Sequence, residues 1–436
     1  VNLSELLSLT RMDAWRFEIG AVPASSRVIT SSDRYPLAEM QQKIWGHYQA
    51  MKTVGAYHEQ FLFELEKSPA IEVLESCLSA IWNSYDQLRV RIQEGDDDLF
   101  QRVSKAPLEV SHGTWTSIEE ALAEDLARGF PEGLLRITFC RVKGKHYLLW
   151  THHHVILDGW SVGILIRDFL QRVAMGDDSI HPRTNHQLQL TQIERENRLS
   201  APNDSSALGV PFRLDIDSFQ WHAGFEEHHF RLGGEGDAEP KTLQKLGVTR
   251  QVLCAAALFL ALRSMDSTEG LYIHGISSGR NVLEGDMDEA VGLFIRNVSL
   301  PLPEVKQQTA AEWVKEVHQS LQSRLTETFV SEPKESADLL FVFENYPYED
   351  IQSEGFQAKL ISVKEVTGYP ITFCVFPRDE GYDIRMVYDA RRIDHHLIQA
   401  LEQKFKRFHR LLVESRSDDP IRQPLLDAPP PTQVVL

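Results

Sequence analysis

One arrangement occurs twice in the sequence: a β-rich run, a sharp turn containing Asp, and a long amphipathic helix. The first copy is LLWTHHHVILDGWSVGILI (148–166) and the second is IRMVYDARRIDHHLIQAL (384–401). A strand that feeds a helix through a tight turn has to pack that helix back onto its own sheet. Two copies half a chain apart therefore predict an α/β fold of two related lobes, for which 436 residues are ample. Between them, residues 178–211 are polar and rich in turn residues and read as an inter-lobe connection. That leaves 35–177 as the first lobe and 212–425 as the second. Residues 1–34 read as an N-terminal extension or linker that could serve as a docking element, and the Pro-rich 426–436 as a C-terminal linker.

Periodicity fills in the lobes. PLAEMQQKIWGHYQAMK is an amphipathic helix opened by Pro, and SIEEALAEDLARGF is a helix capped by Ser117. LLRITFCRV and HYLLWTHH are strands joined by a turn at KGK, and LRVRIQEGDDDLFQRV is a hairpin. VLCAAALFLAL, from Val252 to Leu262, is the longest apolar stretch; it is too short to span a bilayer and reads as a buried helix.

Charge and cysteine usage exclude several function classes. With 45 Lys plus Arg against 63 Asp plus Glu and a net charge of -18, no broad footprint for a phosphate backbone exists. Cys77, Cys140, Cys254 and Cys374 form no CxxC pair, so neither a zinc knuckle nor a disulfide framework is expected. The expectations are a cytoplasmic protein with no nucleic-acid or membrane partner. The N-terminus lacks a secretory pattern, and a chain that begins with Val is either a whole product or an excised piece.

The chemistry concentrates in THHHVILDGWS (151–161). Neighbouring strand residues face opposite sides of a sheet, so the three histidines cannot all ligate one ion, and no metal site is expected. His153, His154, Asp158 and Gly159 spell HHxxxDG between a strand and a helix. A histidine there is placed to handle a proton near neutrality. Asp158 is too costly to bury unpaired, so it is expected to be a brace with a cationic partner. Gly159 allows close approach to the backbone, and Ser161 is expected to cap the helix that follows. No GxSxG elbow, Walker loop or GxGxxG fingerprint lies nearby, so covalent catalysis has no support.

With these residues in view, the sequence resembles the condensation domains of nonribosomal peptide synthetases, in the group that includes chloramphenicol acetyltransferase. Besides HHxxxDG, YPLAEMQQKIW (35–45), SYDQLRVRI with Arg89, SSGRN (277–281), AVGLFIRNVSLPL, FVFENYP (341–347) and TGYPITF (367–373) are similar to family segments in the expected order. The resemblance covers about residues 35 to 425 and implies two chloramphenicol acetyltransferase-like lobes in a V, a pseudo-dimer with a tunnel at their junction. It implies amide formation between a donor acyl or peptidyl thioester on one carrier protein and the amine of an acceptor on a second. No cofactor is implied beyond the phosphopantetheine arms of those carriers, and the chain is expected to be a monomer or part of a multidomain synthetase.

By the same resemblance His154 is catalytic, as general base or as positioning group. His153, Asp158, Gly159 and Arg280 are structural, with Arg280 the expected partner of Asp158. Trp160, Ser161, Gln41, Arg296, Asn297 and Asn345 are expected beside the tunnel. Arg296 and Asn297 depart from the family's usual Asn-Thr after GLFI. Ala390 occupies the place of His154 in the second copy, which predicts one active site. Two further readings stay open: an acyltransferase that serves a soluble acceptor, and a catalytically silent domain that recruits partners.

Overall fold

The computed structural model describes residues 34–50, 55–67, 69–95, 99–131, 133–200, 210–212, 224–233, 238–280, 287–325, 337–344, 351–353, 356–414 and 420. The expected extension at 1–34, the C-terminal linker and Asn345 lie outside, apart from Arg34. In chain order the first half holds β1 (Tyr35–Pro36), α1 (Glu39–Ala50), β2 (His58–Lys67), α2 (Ile71–Ser84), β3 (Val90–Glu94), β4 (Leu99–Val103) and β5 (Glu109–Trp115). It continues with α3 (Ile118–Ala127), β6 (Leu135–Val142), β7 (Lys145–His153), α4 (Gly159–Met175) and α5 (His186–Ser200). The second half holds β8 (Val210–Pro211), β9 (Phe225–Leu232), α6 (Ala238–Leu246), α7 (Arg250–Arg263), β10 (Leu271–Ser277), β11 (Arg296–Pro301) and α8 (Ala310–Leu325). It ends with β12 (Leu339–Phe343), β13 (Ile351–Ser353), β14 (Phe356–Lys364), β15 (Ile371–Pro377), β16 (Tyr382–Asp389) and α9 (His395–Glu414).

The internal repeat is real at the level of topology. One sheet runs β13-β14-β2-β7-β6-β5 and the other β11-β10-β12-β15-β16-β9, with β8 alongside β10. In the first, β2 and β7 are antiparallel, β7 and β6 antiparallel, and β6 and β5 parallel. In the second, β9, β16, β15 and β12 repeat that series in the same order. The strand–turn–helix units found in the sequence are β7 with α4 and β16 with α9, at matching places in the two sheets.

Each sheet carries its helices for the reason the sequence suggests. Ile398, Leu401, Phe405, Phe408 and Leu412 lie three or four residues apart along α9 and are all buried, a stripe that faces the second core. Every residue of α7 from Leu253 to Leu262 is fully buried. A helix apolar on all sides needs neighbours on all sides, and α8 and α9 flank it. Among the described residues no single helix is long and apolar enough to cross a membrane. In the first half, Leu74, Cys77, Leu78 and Ile81 of α2 enter the core that Val162, Leu165 and Phe169 of α4 complete.

Two features of the division of the chain go beyond the sequence reading. The inter-lobe connection is not irregular throughout, because it contains α5, whose Gln187, Leu188 and Leu190 are buried. The second half is also not confined to its own sheet. β14 pairs antiparallel with β2, and Phe356 and Ala358 enter the first core with Val291, Leu293 and Ile295. The two halves are thus sewn together by backbone hydrogen bonds and by a shared apolar core.

One buried ion pair fixes the strand that carries the histidines. Asp125, in α3, is paired with Arg136 of β6 at 2.6 Å, with side chains 4% and 3% exposed. Thr151 of β7 and Gln60 of β2 donate to the same carboxylate at 2.7 and 2.8 Å. Both carboxylate oxygens thereby have donors, the condition under which a buried charge is tolerable. Burial alone would raise the Asp125 carboxyl, but its bonds to Arg136 hold it below the usual carboxylate range.

Candidate active site

The histidine run obeys strand alternation. His152 and His154 look to one side, where His152 Nε2 lies 2.8 Å from Glu59 Oε2 and His154 Nε2 lies 3.4 Å from Glu59 Oε1. His153 looks to the other, packing against Tyr48 with ring centroids 4.5 Å apart and against Trp45 and Phe130. Its Nδ1 accepts the Val155 N–H at 3.0 Å, which tightens the turn. Burial, and then the neighbouring His58, push its pKa well below the ordinary histidine value, so the ring stays neutral among these aromatic neighbours.

His154 is the first residue past β7, and its backbone is pinned before its side chain acts. Its N–H donates to Tyr57 O at 2.9 Å, while Tyr57 N–H donates to Val366 O at 2.7 Å. Tyr57 holds a left-handed φ of 62°, a conformation that a bulky residue keeps only when its surroundings demand it. The His154 Nδ1 is 2.6 Å from Leu157 O, a contact that requires the proton on Nδ1. Nε2 is left to face the cavity, where it meets Glu59 and, at 3.8 Å, Glu365 Oε1.

Charge then sets the protonation state. Burial alone would lower the His154 pKa, but Glu59 and Glu365 together raise it to about 9. Burial likewise works to raise Glu59, and the facing His154 and His152 overcome it and hold that carboxyl low. Glu365 goes the other way, raised by burial and by the Glu59 charge. Glu344 is pushed up to about 8 by burial and by Glu365.

The second half supplies the brace. Arg280 Nη2 lies 3.0 Å from Asp158 Oδ1, and its Nη1 donates to Met287 O and Ala290 O at 2.7 and 2.8 Å. Phe294 N–H donates to Asp158 Oδ2 at 3.0 Å, and Asp158 N–H donates to Gly292 O at 2.9 Å. Asp158, not Ser161, is the N-cap of α4, since its Oδ1 accepts the Ser161 N–H at 2.9 Å. Ser161 sits three positions into the helix, its hydroxyl 2.7 Å from Asp158 Oδ1 and accepting the Gly292 N–H at 3.0 Å. The expectation failed because Asp is as good a cap as Ser and stands at the residue with extended backbone. Gly279 makes the joint possible: with φ +63° it would place a Cβ 1.8 Å from Phe294 O.

Comparisons with known proteins agree with this arrangement. A sequence model of the condensation domain matches residues 31–183 and 192–421. The chain belongs to the condensation-domain family. It is 23% identical over 412 residues to bacitracin synthase 1 of Bacillus licheniformis, covering 85% of this chain and 8% of that protein. It is 24% identical over 427 residues to gramicidin S synthase 2 of Brevibacillus brevis, covering 86% of this chain and 9% of that one. The chain therefore spans under a tenth of these curated relatives. Among solved structures, the first condensation domain of the CDA synthetase superposes with a TM-score of 0.69 at 15% identity, covering 89% of this chain and 98% of that one. The fold is accordingly the two-lobed α/β architecture that the resemblance implied.

A cavity of about 1520 Å³, partly open to solvent, is walled by both halves of the condensation domain. His154, Gly159 and Trp160 line it from the first half and Arg280 and Asn297 from the second. Trp160 Nε1 donates to Asp288 O at 3.0 Å, and its ring lies 5.7 Å from the Arg280 guanidinium carbon. Three residues expected beside the tunnel are placed elsewhere. Gln41 is fully buried in a reciprocal amide pair with Gln101 and donates to Val155 O at 2.9 Å, so it braces the turn after His154. Ser161 belongs to the Asp158 joint. Arg296 precedes Asn297 on β11 and so points to the other face of that strand, where it is buried.

The sequence reading missed the acidic side of the site: Glu59, Glu344 and Glu365, with Arg385 beside them, also line the cavity. Glu59 left a legible signal. It shares a strand face with Phe61 and Phe63, and a carboxylate on an apolar face wants a partner. Glu365 and Glu344 lie just past strand ends, where no periodicity marks them.

Proposed function

We propose that this condensation domain joins a donor acyl or peptidyl thioester on one carrier protein to the amine of an acceptor on a second, forming an amide on the acceptor's phosphopantetheine arm. The observation that carries the reading is His154 Nε2, presented by a pinned turn into a cavity of about 1520 Å³ whose walls come from both halves. A space of that size exceeds a typical small-ligand pocket and suits two extended arms meeting end to end. The relatives' names, bacitracin synthase and gramicidin S synthase, support a peptide-building reaction.

Of the two roles open for His154, positioning and charge stabilisation are favoured over proton abstraction. Its pKa near 9 makes it an imidazolium at neutral pH, a donor aimed where the carbonyl oxygen or departing sulfur gathers charge. Asp158 and Arg280 touch neither arm in this account; they hold the turn. The reading needs no cofactor of the domain's own. It places the domain in the cytoplasm with two carrier proteins as partners, alone or within a longer synthetase.

The test offers a loaded donor carrier protein either a loaded acceptor carrier protein or a soluble amine, and follows each mass. Donor mass appearing on the acceptor carrier supports the proposal. Acylation of the soluble amine alone supports the soluble-acceptor reading instead, and no transfer with verified partners supports the silent one.

A further inference from the structure

Three atoms of the cavity wall face one point. One ligand atom each from Glu59, His154 and Glu365 lies within 4.8 Å of the other two. Two of the three are carboxylate acceptors and the third, the protonated His154 Nε2, is a donor, so an amine entering here donates to Glu59 and Glu365 and not to His154. His154 cannot be its proton acceptor, because Nδ1 is committed to Leu157 O and Nε2 already faces two carboxylates.

The two carboxylates are not equivalent. Glu59 is 7% exposed, and its oxygens lie 2.8 Å from His152 and 3.4 Å from His154. Glu365 is 19% exposed and lines the cavity, with one oxygen 3.8 Å from His154 and the other 4.0 Å from Arg385 Nη2. The Arg385 guanidinium meanwhile donates to Val363 O at 3.0 Å. The titratable and charged groups around Glu365 are therefore Glu59 from β2, His152 and His154 from β7 and its turn, Glu344 after β12 and Arg385 from β16. Glu59 and Glu365 face two cations, His154 and Arg385, while Glu344 is held largely protonated; burial and the neighbouring Glu59 charge leave Glu365 the carboxylate that readily takes a proton.

Resting on the condensation reading, we propose that Glu365 is a further catalytic residue: the acceptor enters as an ammonium and gives Glu365 Oε1 the proton that frees its lone pair. The neutral nitrogen attacks the thioester carbonyl carbon, forming the C–N bond as the carbonyl π pair moves to oxygen. Collapse of that intermediate breaks the C–S bond. The departing sulfur takes a proton from His154 Nε2, which regains one from the nitrogen of the new amide. The net proton released stays on Glu365 until solvent removes it.

The experiment measures single-turnover transfer to an acceptor carrier loaded with glycine and to one loaded with aminooxyacetic acid, whose amine is already neutral at pH 7. Glu365→Gln is expected to slow the glycyl acceptor about 100-fold while leaving the aminooxy acceptor within about threefold of wild type. Should the Gln variant unfold, Glu365→Asp carries the same comparison, its carboxylate set back by one methylene and its glycyl rate selectively reduced. A folded variant that slows both acceptors equally, or neither, overturns the proposal. A wild-type protein that transfers to neither overturns the condensation reading, and this inference with it.

Discussion

Replacing Asp158 by Ala removes the buried centre of the joint between the halves. The side chain is 1% exposed and accepts from Ser161 N–H, Phe294 N–H and Arg280. Its loss leaves the Arg280 guanidinium, itself 9% exposed, without its carboxylate, and α4 without its cap. Breaking a buried pair from one side costs about 3–5 kcal/mol, and a lost cap about 1 kcal/mol more, so the variant should lose about 4–6 kcal/mol in urea unfolding followed by tryptophan fluorescence. Adding Arg280→Met removes the stranded charge, so the double variant should recover about 2 kcal/mol of that loss. A loss below about 1 kcal/mol for Asp158→Ala, or strict additivity of the two changes, would show that the joint does not hold the turn as described.

Arg136→Met leaves the Asp125 carboxylate buried with only neutral donors and should cost about 3–5 kcal/mol, most of it regained in Asp125→Asn/Arg136→Met; an unchanged unfolding midpoint in the single variant contradicts this. Gly279→Ala combines a φ of +63° with a Cβ 1.8 Å from a carbonyl oxygen, and a loss of more than ~1 kcal/mol is expected by thermal unfolding. The raised pKa of His154, about 9 against an unfolded 6.5, contributes stability that is fully present below 6.5 and lost as pH rises through 9. Glu344, with a carboxyl raised from 4.5 to about 8, loses its contribution as pH rises from 4.5 to 8, since ionising it in the fold is costly, and so overlaps only the lower part of that window. His154→Gln should therefore flatten part of the decline between those pH values, by on the order of 3 kcal/mol at most, and a decline of unchanged depth would refute the charge assignment.

The residues that a local pattern marks were legible, and those that only the closed fold brings together were not. Strand parity alone separates His153 from His152 and His154, and the cost of a buried carboxylate alone demands a cation for Asp158. The second copy shows the same logic by contrast: Asp389 pairs with Arg391, two residues away, at 3.1 Å, so its turn closes on itself where Asp158 reaches across to Arg280. Glu365 belongs to the site only because β14 crosses to the first sheet and delivers the residue after it beside β2. Such a crossing leaves no trace in periodicity, because a strand's alternation is the same whichever sheet accepts it. Gln41 misled for a related reason: a polar residue on the opening helix looks available for a ligand until Gln101, sixty positions away, takes up its amide.

The most direct test is the rate at which donor mass appears on a loaded acceptor carrier protein, read by intact-protein mass spectrometry for the unmutated chain and for His154→Ala. Transfer by the first and a loss of at least about 100-fold in the second, with both proteins folded, is the expected result. Equal rates in the two would mean that the chemistry happens elsewhere and that the cavity facing His154 is not the active site.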